Sequence, residues 1–179
     1  MTARPGPAAA AAALLLCLLP GCAGPARAPL PTVTGVDLPR FMGDWYVIAH
    51  IPTSIERKAC NAVERYELNP DGTIATTFTF RDGAFDGPAK AYHPKGFVRD
   101  PVNHSTWAMQ FLWPFKAEYL IAALDPDYRE TIIARSDRDY VWIMARTPSI
   151  PAADYERLVA RVGGLGYDVA RLRKVPQRW

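Results

Sequence analysis

The chain has 179 residues, of which 49% are hydrophobic, 22% charged and 11% aromatic, with 21 Lys+Arg against 18 Asp+Glu. That balance excludes a disordered, collagen-like or disulfide-stapled chain and fits one ordinary globular domain. A net charge of +3, with the basic residues scattered along the sequence, excludes a protein that tracks nucleic-acid phosphates.

At the N-terminus Arg4 precedes an apolar run from Ala8 to Leu19 that small residues close at Gly21, the pattern of a secretory signal. The run is about a dozen residues long, short of the roughly 20 that a spanning helix needs. Leu19-Pro20-Gly21-Cys22 resembles the lipobox of bacterial lipoproteins. The resemblance implies a signal peptide over residues 1–21 and acylation of Cys22 as the first mature residue. Ala23, where an Asp would resemble an inner-membrane retention signal, implies the outer membrane. Residues 22–34 hold the anchor and a spacer rich in Pro and Ala, and residues 35–179 form the domain. After cleavage only Cys22 and Cys60 remain, and an acylated Cys22 cannot pair, so no internal disulfide is expected.

From residue 43 to 147, short segments rich in Val, Ile, Tyr, Phe, Trp and Thr alternate with turn signals about ten residues apart, which predicts an all-β sandwich or barrel. Strands are expected over 45–51, 62–68, 73–80, 89–98, 106–112, 118–124, 130–135 and 140–146. Asn69-Pro70-Asp71-Gly72, Asp125-Pro126-Asp127 and Ser136-Asp137-Arg138-Asp139 supply tight turns, making neighbouring strands antiparallel. The four Asp residues of the last two turns read as turn formers. Tyr155, Leu158, Val159 and Val162 then repeat at helical spacing, predicting a helix over 152–162 that starts at Ser149 or Pro151 and stops at Gly163-Gly164. Residues 167–175 can return as a strand.

Eight sequential antiparallel strands followed by one helix suit an up-and-down barrel with the helix packed outside, a fold whose interior holds one small ligand. Gly43-Asp44-Trp45-Tyr46 resembles the G-x-W motif of lipocalins, and Arg146, closing Tyr140-Val141-Trp142-Ile143-Met144-Ala145-Arg146, resembles their late conserved Arg. Between them Pro114-Phe115, Tyr119 to Asp125, and Asp127-Tyr128-Arg129 resemble the middle motif of bacterial outer-membrane lipocalins and their apolipoprotein D-like relatives. The order and spacing agree over residues 35–175. The resemblance implies that the Trp45 indole plugs the closed end and that the Arg146 guanidinium stacks over it. It further implies a fatty acid or lysophospholipid ligand, an outer-membrane bilayer reached through Cys22 with the domain on the periplasmic side, no cofactor, and in some relatives a homodimer.

Alternate residues of a strand share a face. Phe78 and Phe80 form one such set, as do Trp107, Met109 and Phe111, Tyr119, Ile121 and Ala123, and Tyr140, Trp142 and Met144. These bulky apolar faces are candidates for a ligand-lined interior. Tyr119, Tyr140, Arg81, Lys90, Lys95 and His93 are candidates for orienting a polar head group.

The three histidines, His50, His93 and His104, are isolated and show no metal-ligand spacing, and no serine sits in a G-x-S-x-G elbow. The chain is therefore expected to be a binding protein without metal. The alternative is an isomerase of the lipocalin type using Cys60 as a pocket thiol, with Arg57 and Lys58 near enough in sequence to favour a thiolate.

Overall fold

A computed structural model describes residues 1–2 and 28–179. The expected signal segment beyond residue 2, and Cys22, lie outside the described residues. A single turn of helix, α1 (Leu38–Phe41), leads into β1 (Gly43–Ile51), β2 (Ala59–Leu68) and β3 (Thr73–Asp82). Next come β4 (Ala89–Tyr92), β5 (Lys95–Val98), β6 (Thr106–Leu112), β7 (Phe115–Leu124), β8 (Glu130–Ala134) and β9 (Val141–Ala145). The strand expected over 89–98 is thus two pieces, both antiparallel to β3 and broken at His93-Pro94. Proline has no N–H to give a ladder, so the strand bends there, while the Pro94 carbonyl still accepts the Thr76 N–H at 3.1 Å.

Counted as one, β4 and β5 make the fourth of eight antiparallel barrel strands, and β1 closes the ring on β9 from Tyr46 opposite Ala145 to Ile51 opposite Val141. Closure removes both sheet edges. The turn at Asn69-Pro70-Asp71-Gly72 forms as expected, with Gly72 at a φ of +77° that a side chain would strain.

Burial divides into two cores because the strands alternate. Inward residues, among them Trp45, Tyr66, Phe78, Met109, Ile133 and Met144, pack inside the barrel. Outward residues, including Ala49, Leu120, Ile132, Ile143 and Ala145, pack against helix α2 (Ala152–Gly164) through its buried Leu158 and Val162, with Tyr155 and Val159 half-buried beside them. One phase does not hold along β7: a bulge between Ile121 and Ala123 leaves Tyr119 and Ile121 inside but turns Ala123 to the outer core.

The helix runs through Gly163 and Gly164 instead of stopping there. The left-handed residue is Gly166, at φ +87°, whose N–H donates to the Gly163 carbonyl at 2.9 Å, while Leu165 donates to Arg161 at 3.1 Å. The return strand is also shorter than expected. A 3₁₀ turn capped by Asp168, Val169–Arg171, precedes a two-residue β10, Arg173–Lys174, which pairs with His50 and Ala49 of β1. Within the segment read as a spacer, Leu30 is buried in the outer core and Val33 donates its N–H to the Ile121 carbonyl at 3.0 Å.

Candidate functional site

One end of the barrel is sealed. Asp37 caps α1 by accepting the Arg40 N–H at 3.1 Å, which places Phe41 over the barrel end. The Trp45 indole, fully buried, donates Nε1–H to the Phe41 carbonyl at 2.8 Å. The Arg146 guanidinium carbon lies 3.9 Å from the Trp45 ring centroid. Its N–H groups donate to four carbonyls, those of Arg40 (2.7 Å), Asp44 (2.9 Å), Phe41 (3.1 Å) and Tyr128 (3.2 Å). One side chain thereby ties α1, β1 and the β7–β8 turn to the last barrel strand. The motif needs glycine at position 43 because φ is +92°, a backbone conformation that a side chain would strain; a Cβ there would meet Arg146 Nη1 only at an ordinary contact distance of 3.4 Å.

Tyr128 belongs to the same seal. Its hydroxyl accepts the Asp37 N–H at 2.8 Å, and the Arg40 guanidinium lies 4.1 Å from its ring centroid. Asp127 is exposed and paired with Arg129 at 3.3 Å, and Asp125 accepts backbone N–H groups within its own turn. Among the described residues no group of three or more His, Cys, Asp or Glu is placed to hold a metal ion.

Above the seal the barrel is solid for part of its height. Trp107 stacks on Tyr119 with centroids 5.1 Å apart and stands edge-on to Phe41 and Tyr66, and Ile121 and Met144 fill the same inner core. Further up the interior opens into a cavity of about 400 Å³. Its apolar walls are Phe78, Tyr92, Met109, Phe111, Tyr119 and Trp142. Its mouth lies between the β1–β2 loop (Thr53, Ser54, Ile55, Glu56), the β6–β7 hairpin and the start of the β8–β9 loop at Arg135.

Five of the residues expected to line a ligand pocket therefore meet at this cavity: Phe78, Met109, Phe111, Tyr119 and Trp142. Trp107, Ile121 and Met144 share the inward phase but belong to the solid part of the core. Phe80 packs on Phe78 and borders a second, more open pocket of about 430 Å³ together with Arg81, Lys90 and Trp179. Tyr140 is half-buried against Trp142, at 6.4 Å between centroids, outside the lining. Of the polar candidates, His93 and Tyr119 face the cavity, whereas Lys95 is bound to Asp71 at 3.3 Å, at the turn on the sealed end.

The cavity also holds acidic groups that the motifs do not mark. Glu56 is buried and accepts from the Thr53 N–H (3.0 Å), the Thr53 hydroxyl (2.9 Å) and the Trp142 indole (3.2 Å), with His50 Nδ1 3.5 Å away. Burial opposes its ionisation, but His50 and these donors outweigh it and hold the carboxyl below its ordinary range. Glu64 behaves oppositely: burial, and then the charge of Glu56, push its carboxyl up to about 8. At neutral pH Glu64 is a neutral acid. Tyr119 and Tyr66 hydroxyls are 2.7 Å apart, and Tyr66 donates onward to Glu64, which keeps its own proton free to donate. Burial, then Glu64, push the Tyr119 phenol well above its usual range, so it stays a donor. Nearer the mouth, Arg135 is held by Asp139 at 3.3 Å while its buried Nε has no acceptor.

The sequence carried a signal for Glu64, which shares the phase of buried Ala62 and Tyr66 on β2. Cys60 is buried and is not among the residues lining the cavity, so the geometry lends no support to a pocket thiol.

A family model described as the lipocalin-like domain matches residues 36–177, nearly the whole of the barrel, helix and C-terminal return. The chain is a lipocalin. It is 33% identical over 157 residues to temperature-induced lipocalin-1 of Arabidopsis thaliana, covering 83% of each chain. It is 28% identical over 178 residues to outer membrane lipoprotein Blc of Escherichia coli K12, covering 93% of this lipocalin and 94% of that protein. The fold also superposes on insecticyanin from the tobacco hornworm Manduca sexta with a TM-score of 0.63 at 14% identity, covering 83% of this lipocalin and 84% of insecticyanin. Among the described residues no helix of this lipocalin is long and apolar enough to cross a membrane.

Proposed function

We propose that this lipocalin binds a single-chain amphipathic lipid, a fatty acid or a lysophospholipid, and stores or carries it in the cell envelope while an acylated Cys22 holds it on the periplasmic face of the outer membrane. The observation that carries the reading is the cavity: about 400 Å³, apolar on its walls, sealed below by Trp45 and Arg146 and open above. That volume falls within the range of small-molecule pockets, and a shaft with mostly apolar walls suits a flexible chain better than a rigid polar solute. Arg135 with Glu56 and Glu118 gives the cavity both signs of charge, which fits a zwitterionic head better than an isolated carboxylate. The envelope placement is supported by the lipobox resemblance and by the name of the E. coli relative, an outer membrane lipoprotein.

The mechanism is reversible partition. Each methylene buried contributes about 0.8 kcal/mol, offset by the entropy of fixing the chain, so binding in the micromolar range is the expected balance. Displacement of a fluorescent fatty acid by a series of single-chain lipids tests this. Affinity is expected to rise roughly ten-fold for every two added methylenes until the cavity is full, then level off. Competition that is flat across chain length would sink the proposal.

A further inference from the structure

We propose that the β6–β7 hairpin is a membrane-docking finger that, with the acyl anchor, sets the cavity mouth against the bilayer surface. The inference rests on the proposed lipid-carrying role and adds the orientation in which loading occurs. Phe111, Leu112, Trp113 and Phe115 form a continuous exposed apolar tip, with Leu112 70%, Trp113 81% and Phe115 72% exposed. Leu112 pairs with Phe115 across the hairpin, so both flank the Trp113-Pro114 tip. Isolated exposed apolar residues are ordinary, but a contiguous patch of this kind marks an interaction surface. Ile55, on the β1–β2 loop that also borders the mouth, is exposed as well. Phe111 continues the patch inward, because it lines the cavity. The apolar surface therefore runs without interruption from solvent into the pocket.

Two further observations identify the occupant as lipid. Lys116 follows Phe115 in the chain, and its ammonium turns back from the tip along the barrel wall, 3.8 Å from the ring centroid of Phe97 on β5. Trp with a neighbouring Lys is the pairing that settles at the headgroup boundary. The second is the tether. Arg138, on the β8–β9 loop at the mouth end, donates to the Ala28 carbonyl at 2.6 Å, and Ser136 of the same loop bonds the Glu118 carboxylate of the cavity wall. Ala28, the first described residue of this segment, thus lies at the end that carries the mouth and the finger. Only five residues lie between Cys22 and Ala28, a span of six residue steps. Fully extended they reach about 20 Å, so an acylated Cys22 cannot hold the sealed end down while leaving the mouth far out in water. Anchor and finger are both satisfied when the mouth faces the membrane, and an acyl chain can then slide between bilayer and cavity without crossing bulk water.

The test uses the acylated protein reconstituted in phosphatidylethanolamine and phosphatidylglycerol vesicles whose acyl chains carry bromine, a quencher of tryptophan emission. Quenching is expected in the parent, to be lost in Trp113→Phe and retained in Trp179→Phe. In a second measurement Leu112→Ser, Trp113→Ser and Phe115→Ser are combined. Transfer of a fluorescent fatty acid from vesicle to protein is expected to slow at least ten-fold, with the solution affinity for the same fatty acid unchanged. Quenching that survives Trp113→Phe, or transfer unaffected by the triple substitution, would overturn the proposal. So would a lipid-free dimer that the triple substitution splits, since the finger would then belong to a second copy. If mass measurement finds Cys22 unacylated, flotation with the same vesicles must still depend on Trp113, and protein left in the aqueous fraction overturns docking. Loss of solution binding of every single-chain lipid would instead defeat the carrier role, independently of where the finger lies.

Discussion

Arg146→Ala is expected to lower the stability of the barrel by about 3 kcal/mol while leaving lipid affinity within two-fold of the parent. Arg146 gives N–H donors to four carbonyls on three separate elements and covers the Trp45 ring. Hydrogen bonds from a charged group contribute roughly 1.5–3 kcal/mol, and a partly desolvated cation over an aromatic face about 1–2 kcal/mol more. Relaxation and water entering from the exposed side return part of that. The cavity lies above the solid layer of Trp107, Tyr119 and Ile121, and Arg146 does not line it, which is why binding is spared. Arg146→Lys keeps the charge but not the planar fork, and is expected to recover less than half of the loss. Urea unfolding with a parallel displacement titration reads both effects. An unchanged unfolding midpoint, or affinity falling in step with stability, would contradict the sealed-end role.

The second large effect concerns Glu64 and pH. Its carboxyl sits at about 8 in the folded protein against an ordinary 4.5. Below pH 4.5 both folded and unfolded chains hold the proton, and the stabilising contribution is fully present. Between 4.5 and about 8 the unfolded chain releases the proton that the folded one keeps, so stability falls as pH rises, by up to about 1.4 kcal/mol per pH unit. Above 8 the loss levels off. Glu64→Gln removes this slope while keeping an acceptor for the Tyr66 hydroxyl, and the variant is expected to be more stable than the parent by ~2 kcal/mol or more at pH 9. Lipid affinity is expected to weaken at least ten-fold in the parent between pH 6 and 9, because the chain would then lie against a carboxylate on the cavity wall, and to stay level in the variant. Parent and variant losing stability in parallel across that window would refute the neutral state of Glu64.

Much of the fold was legible because period-two alternation and turn chemistry are local. Trp107, Met109 and Phe111 announce a strand face, and Asn69-Pro70-Asp71-Gly72 announces the hairpin between β2 and β3. What alternation cannot supply is height along the barrel axis. Trp107 and Met109 share one phase, yet the first is part of the solid core and the second lines the cavity. Alternation also fails where the ladder slips, as at the Ile121/Ala123 bulge, which moves Ala123 from the expected inward set to the outer core. His93-Pro94 broke a strand that composition had made continuous. An acidic side chain in a half-buried strand or loop is ordinarily solvated, which outweighs the inward phase of Glu64 and leaves Glu56 unmarked; only the closed ring brings Glu56, Trp142 and Glu64 to one interior.

In the sequence Leu112 ends an expected strand and Pro114-Phe115 belongs to the motif resemblance, and neither reading marks the segment as an exposed tip. Its meaning depends on its position at the mouth, which the sequence alone does not give.

The central claim is that the barrel above Trp107 and Tyr119 is a lipid-filled shaft. Native mass spectrometry of the protein released gently from its own membrane tests it most directly. The account predicts one single-chain lipid per subunit, displaced by added fatty acid and absent when Ala117, which faces the cavity, is replaced by Trp. A bare subunit mass from fresh membrane that takes up no single-chain lipid on titration, with Ala117→Trp indistinguishable from the parent, would contradict it.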